Sequence, residues 1–245
     1  MSALDVAAAV AVMAGALIQS ATGFGFALVA APLLFAATSP EHAVGLSLVL
    51  AAEVNLLTLF GEGRAAEPLV PESRGALLFA VPGAVAGVVV LRSLSPTALQ
   101  VAVTVGVLAT LALRRVQRYR HYKPGGVHLA AAGLAAGALT TSTTTNGPPL
   151  VLYLLGRSAR PSQVRDTLVL CFLGLSLIGA LALVATGTFH AAPNPAALAA
   201  LVPLVLAGHL AGRRLFASLS DARYETALTA LLLATALAGL LLALL

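Results

Sequence analysis

The chain of 245 residues is 59% hydrophobic and 9% charged, with a mean hydropathy of +0.97; soluble globules carry about 25% charged residues, so it is expected to be an integral membrane protein. Its 14 Lys and Arg against 9 Asp and Glu give a net charge of +5, but they sit in short clusters between apolar blocks, which argues against nucleic-acid binding and makes the charge a signal of orientation. A single cysteine, Cys171, leaves no intrachain disulfide and no Cys-rich metal site.

The first charge is Asp5 and no Lys or Arg precedes Arg64, so the apolar start is read as a retained membrane segment and not as a cleavable export signal. Apolar runs between Gly, Pro and charged breaks predict segments over 5–19, 24–38, 43–60, 75–91 and 97–113, then a basic stretch at 114–126. The pattern then repeats over 127–140, 147–155, 164–186, 196–212 and 226–245. The expectation is one membrane domain, residues 1–245, made of repeat one (1–113), a basic cytoplasmic linker (114–126) and repeat two (127–245).

A shift of 122 positions lays residues 14–29 on 136–151 with nine identities in sixteen, including Ser20 on Ser142, Thr22 on Thr144 and Gly25 on Gly147. A shift of 121 pairs Pro82 with Pro203, Ala86-Gly87 with Ala207-Gly208, and Arg92 with Arg213. Short loops rich in Lys and Arg stay cytoplasmic. If 5–38 and 127–155 each cross once, the 14 basic residues divide seven against seven and orient nothing. If each doubles back at its centre, thirteen of the 14 fall on one face and only Arg92 on the other. The second arrangement predicts an all-α protein of two inverted five-segment repeats, each opening with a broken or re-entrant helical hairpin, with both termini outside the cell inner (plasma) membrane. Inverted repeats with broken helices are common in secondary transporters.

The breaks themselves read Gln19-Ser20-Ala21-Thr22-Gly23-Phe24-Gly25-Phe26 and Thr140-Thr141-Ser142-Thr143-Thr144-Thr145-Asn146-Gly147-Pro148-Pro149. Backbone freed from helical bonding inside lipid is tolerated only where it is buried in protein or lines a cavity. A helix restarting there turns unpaired N–H groups and its positive dipole end toward the site, which suits an anion. The candidate substrate-binding residues are therefore Gln19, Ser20, Thr22, Gly23, Phe24, Gly25, Thr141, Ser142, Thr143, Thr144, Asn146, Gly147 and Pro148, whose hydroxyls and amides add donors without fixed charge. The alternative is that small and hydroxylated residues only allow close helix packing, as Gly83/Gly87, Gly133/Gly137 and Gly208/Gly212 would.

Gln19-Ser-Ala-Thr-Gly-Phe-Gly-Phe followed by Ala30-Ala-Pro-Leu-Leu, with Asn146-Gly-Pro-Pro and Arg160-Pro-Ser-Gln-Val-Arg-Asp downstream, resembles the TauE/SafE sulfite exporter family over nearly the whole chain. That resemblance implies transport of sulfite, a sulfonate, a sulfoacetate-like anion or a small carboxylate, generally linked to an ion gradient.

Glu53 falls inside the apolar segment 43–60, where a carboxylate is costly unless paired, hydrated or protonated. It is a candidate proton carrier, or else a structural carboxyl bonded to Asn55 or Gln100. His209 is a secondary candidate for substrate binding or proton relay, with a packing role as the alternative. Arg92 and Arg213 end equivalent segments and either attract anions or anchor at the interface. Arg165-Asp166 reads as a local ion pair.

No zinc-protease, serine-hydrolase or phosphate-loop pattern is present. The expectation is a non-enzymatic secondary transporter without metal or cofactor, with a small anionic substrate, membrane lipid and a coupling proton or sodium ion as partners. A homodimer through glycine-lined faces stays open. The alternatives are a passive anion channel and an intramembrane hydrolase built on Ser142 and His209.

Overall fold

The computed structural model describes residues 3–95, 98, 124–157, 159–189, 195–220, 223, 226, 227 and 230. Of the predicted segments, nearly all of 97–113, most of 226–245 and the basic run from Arg114 to Lys123 lie outside the described residues. All regular structure among the described residues is α-helical. The helices are α1 (Ala3–Thr22), α2 (Phe26–Ala37), α3 (Pro40–Phe60), α4 (Val70–Ser93), α5 (Gly126–Ser142), α6 (Gly147–Leu155), α7 (Pro161–Ala185) and α8 (Pro195–Ser218). Each predicted segment within the described residues is a helix; 5–19, 43–60, 75–91, 127–140 and 196–212 are extended at one or both ends, 164–186 starts three residues earlier and ends one earlier, 147–155 keeps its bounds, and 24–38 is trimmed to 26–37.

Local chemistry sets the boundaries. Ser39 caps α3 by accepting from the His42 amide, with Pro40 in the first turn, where a missing N–H costs nothing. Pro161 opens α7 in the same way, and the Arg160 amide donates to Gln163 Oε1 at 3.2 Å. Among the described residues, four helices are long and apolar enough to cross a bilayer: Glu41–Phe60, Val70–Ser93, Pro161–Ala185 and Leu198–Ser218. Large apolar side chains such as Leu78 and Val85 on α4 and Leu177 and Leu181 on α7 point outward, as they do on lipid-facing helices.

The opening segment of each half folds back on itself. A Cβ on Gly15 of α1 would stand 2.8 Å from the carbonyl oxygen of Phe26. Ala8, Val12 and Ala16 share one apolar cluster with Phe26, Ala30 and Leu34, so α2 returns along α1. In the second half, a Cβ on Gly156, just after α6, would lie 2.7 Å from Pro124, just before α5, so the chain leaves on the face where it entered. The two single-crossing alternatives are therefore not what the helices do.

The halves exchange contacts. α5 packs along α4 and α1 along α8, while α3 and α7 meet each other, so each half's opening helix lies against the fourth helix of the other half. The glycine pairs make these approaches. Gly133 and Gly137 of α5 face the carbonyls of Ala76 and Ala80, Gly83 and Gly87 of α4 face those of Leu134 and Ala138, and Gly208 and Gly212 of α8 face those of Met13 and Leu17. Of the two uses left open for these glycine faces, a second copy or internal packing, the contacts seen here are internal. Lipid offers helices no hydrophobic drive to associate, so close contact of small residues carries much of this cohesion.

A side chain at Gly137 would collide with the backbone of Ala80, whereas one at Gly126 meets nothing within 4 Å. Gly137→Leu is expected to cost at least about 1–3 kcal/mol and lower the Tm of the detergent-purified protein, while Gly126→Ala leaves it within error; equal Tm values for the two variants would contradict this packing.

Candidate functional site

The first break lies between α1 and α2. Gly23, at φ 87°, and Gly25, at φ 115°, take the left-handed backbone that turns the chain. Gln19 then staples the turn: its Oε1 accepts from the Phe26 amide at 3.1 Å, satisfying one of the orphan donors of α2, and its Nε2 donates to Asn55 Oδ1 on α3 at 2.7 Å. Ser20 Oγ is 2.9 Å from His209 Nδ1 on α8, and Thr22 Oγ1 bonds the carbonyls of Ile18 and Phe24.

The second break lies between α5 and α6. Thr141 Oγ1 donates to the Ala84 carbonyl of α4 at 2.8 Å, and Ser142 Oγ to that of Ala138 at 2.7 Å. Thr143 and Thr145 bond each other at 2.8 Å. Asn146 Nδ2 reaches back to Thr140 Oγ1 at 2.9 Å, which closes the turn much as Gln19 does in the first half. Thr144 sits at φ 61°, a left-handed conformation that costs a β-branched residue about 1–3 kcal/mol and that the surrounding bonds must hold. Pro148 and Pro149 stand in the first turn of α6, so the donors at this end reduce to the amides of Asn146 and Gly147.

The two breaks meet. A Cβ on Gly147 would be 2.7 Å from the Phe24 ring, and one cavity of about 30 Å³ is lined by Gln19, Phe24 and Gly25 from the first break and Thr144, Thr145, Asn146 and Gly147 from the second. No carboxylate among the described residues lines it. The first-turn amides of Ala27 and Leu28, also in its wall, have no acceptor within their own helix. Of the sequence candidates, Ser20, Thr22, Gly23, Thr141, Ser142, Thr143 and Pro148 are not in the wall; the hydroxyls among them are spent on carbonyls, a neighbouring threonine or His209. They build the turns that present the others. Ser47, Leu48 and Ala51 on α3 and Phe172 and Ser176 on α7 complete the wall and were not anticipated. The two serines carry a signal in the sequence, a tetrapeptide repeated on the third helix of each half.

Just outside this cavity is a buried ionic network. Arg165, fully buried, donates through Nη1 and Nη2 to the Glu62 carboxylate at 2.9 and 2.5 Å and through Nε and Nη2 to the Ser20 carbonyl, with its guanidinium 4.2 Å from the centre of the Phe216 ring. Arg64 pairs with Asp166 at 2.5 Å. The adjacent Arg165 and Asp166, expected to form a local ion pair, instead each bind a partner from the loop after α3, because neighbouring residues on a helix point to different sides. Bonds to Asp166 hold the Arg64 guanidinium above its ordinary value. For Glu62, burial pushes the carboxyl up, but the bonds and charges of Arg165 and Arg64 outweigh it and hold the group below its ordinary value of 4.5.

The remaining candidates stand apart from the cavity. Arg92 binds the Thr186 carbonyl and Thr188 Oγ1 at the end of α7, and Arg213 binds the Gly61 carbonyl after α3; both cap helix ends belonging to the other half. Glu53 lines a separate apolar cleft between α3 and α7, whose wall shares Leu48 and Ser176 with the central cavity. Asn55 is not its partner, since Asn55 Oδ1 accepts from Gln19 and its Nδ2 is unpaired among the described residues; Gln100 lies outside the described residues. His209 bonds Ser20 and Ser142 bonds its own helix, so the Ser142 and His209 pairing that a hydrolase would need is not formed.

Removing one partner of a buried ion pair costs about 3–5 kcal/mol, so Arg165→Met is expected to lower Tm sharply. A carboxyl held below its ordinary value stabilises the fold above that value and loses the contribution as pH falls through the folded-state value. Glu62→Gln should therefore be less stable than the parent at neutral pH, with the Tm gap closing as pH drops below 4.5; a gap independent of pH would refute the ionised pair.

The sequence matches the family described as Sulfite exporter TauE/SafE over residues 7–239, nearly its full length. No curated protein and no solved structure matches it. With four apolar helices of spanning length and two reversed hairpins, it is a multi-pass membrane protein. The chain belongs to the TauE/SafE sulfite exporter family of membrane transporters.

Proposed function

We propose that this protein is a secondary active transporter of a small oxyanion, such as sulfite, a sulfonate, a sulfoacetate-like anion or a carboxylate, working by alternating access. The observation that carries the reading is that two broken segments, remote in sequence, meet at one cavity whose wall sets uncharged polar side chains (Gln19, Ser47, Thr144, Thr145, Asn146 and Ser176) among apolar ones. Amides at the starts of α2 and α6, with the positive ends of both helix dipoles, replace water around an anion. No cation among the described residues lines the wall, and the buried Arg165 is already neutralised by Glu62.

The exchanged contacts between corresponding helices support two inverted repeats, and rocking of one against the other would expose the cavity to each face in turn. About 30 Å³ holds about two water-sized groups, so admission of a substrate requires these helices to part. The face bearing Arg64, Arg157, Arg160 and Arg165 is the cytoplasmic one in this reading, which leaves both termini outside the cell membrane. Glu53, in the cleft that shares Ser176 with the cavity wall, is the proposed coupling carboxyl; an intramembrane acid that faces such a cleft can load and release a proton as the helices move.

Purified protein in liposomes should accumulate sulfite against its own gradient when a proton or sodium gradient is imposed, whereas flux that only follows the sulfite potential would make it a channel. Asn146→Leu, which fills the cavity, should reduce this flux at least about tenfold, equivalent to about 1.4 kcal/mol, without lowering Tm in proportion. Glu53→Gln should abolish accumulation and spare sulfite exchange; full driven accumulation by that variant would remove Glu53 from the coupling.

A further inference from the structure

Two walls of the central cavity belong to neither break. Gly45-Leu46-Ser47-Leu48 on α3 and Gly174-Leu175-Ser176-Leu177 on α7 are the same tetrapeptide at a spacing of 129 residues. The two helices pack on each other, and both serines line the cavity that the breaks share.

What the two hydroxyls do there is a question of hydrogen bonding. A serine or threonine inside a helix has the carbonyl four residues back within reach and usually takes it. Thr58, Thr140 and Ser142 in this protein do so. Ser47 does not: it is 1% exposed, and its Oγ has no hydrogen-bond partner among the described residues. A buried hydroxyl left without a partner is unfavourable, and such groups are uncommon in folded proteins. One lining a polar cavity is explained if its partner is the molecule that enters the cavity.

Resting on the transporter reading above, we propose that Ser47 and Ser176 are substrate-binding hydroxyls. They donate to oxygens of the same small oxyanion that the break amides hold. Two features of the wall select an anion over a metal cation. The orphan amides of Ala27, Leu28 and Gly147 are donors only, and no carboxylate among the described residues is present to neutralise a cation. A bound oxyanion with two or more acceptor oxygens then ties the third helix of each half to both tips, so occupancy of the site bears on elements of both halves at once. Ser176 also borders the cleft that contains Glu53. The hydroxyl that contacts substrate is thereby shared with the wall of the proposed coupling site.

The test is calorimetric titration of the detergent-purified full chain with sulfite, methanesulfonate and acetate, alongside Tm without ligand. Ser47→Ala and Ser176→Ala are each expected to weaken binding of the best of these anions about ten- to a hundredfold, the range for a lost hydrogen bond to a charged group. Ser47→Ala should leave the ligand-free Tm unchanged or raise it, because no bond within the fold is lost. Parental affinity in both variants overturns the assignment and leaves the transporter reading standing. An effect confined to one variant overturns the paired arrangement. A lowered ligand-free Tm with unchanged binding would mark the hydroxyls as structural and also overturn it. Failure of the parent protein to bind any of the three anions would overturn this inference together with the reading beneath it.

Discussion

Inside a bilayer every backbone N–H and C=O must find a partner within the protein, and a helix broken at mid-membrane leaves several of each without one. The rest of this structure follows from how those groups are satisfied at two points. At the first, Gln19 takes the Phe26 amide, Thr22 takes the Ile18 and Phe24 carbonyls, and Arg165 takes the Ser20 carbonyl. At the second, Thr144 takes the Thr143 carbonyl and Thr143 and Thr145 close on each other, while Thr141 reaches across to α4. Among the described residues, two buried side-chain groups stay unpaired after this, the Ser47 hydroxyl in the cavity wall and Asn55 Nδ2 beside Gln19.

The arginine at the first tip shows the same logic in its costlier form. A fully buried guanidinium is stable only when its charge and its donors are matched, and Arg165 has a carboxylate, a backbone carbonyl and an aromatic face around it. Because Glu62 comes from the loop after α3, Ser20 from α1 and Phe216 from α8, one side chain joins three elements to α7. The backbone of Arg165 also sits under Gly23, where a Cβ would come within 2.9 Å of its Cα, so the glycine serves both the turn and the seat beneath it. The network therefore holds the first hairpin against the charged end of the bundle, beside the cavity and not inside it.

Between the halves, cohesion is mostly close backbone approach. Glycines on α4, α5 and α8 each face a carbonyl of the helix they pack on, and Arg92 and Arg213 cap helix ends across the same divide. Contacts of this type are short and numerous but individually weak. Helices joined in this way can shift relative to one another with less loss than an interlocked core of large side chains, which the proposed opening of the cavity of about 30 Å³ would require.

Much of this was legible in the residues themselves. Hydropathy and composition determine that the chain is helical and membrane-bound, and Gly23, Gly25 and Asn146-Gly147 mark the breaks, because a lipid-embedded helix has few other reasons to carry such residues at its centre. The count of basic residues on each face already favours chain reversal over single crossings, since charge does not pass the bilayer freely. Side-chain destinations were not legible. Ser20, Thr22, Thr141 and Ser142 look like ligand groups by type, yet each has an acceptor or donor within reach that only the folded backbone supplies. The pairing of Arg165 with Glu62 and of Asp166 with Arg64 spans about a hundred residues, and no local pattern encodes it. Ser47 and Ser176 lie in unbroken apolar helices and reach the cavity only because α3 and α7 pack beside the two tips. The sequence alone determines where the helices run and where they break, through hydrophobicity and backbone preference, which act locally. Which polar groups remain unpaired to meet a ligand is decided by tertiary contact, because satisfaction of a hydrogen bond depends on what lies within about 3 Å, whatever the distance along the chain.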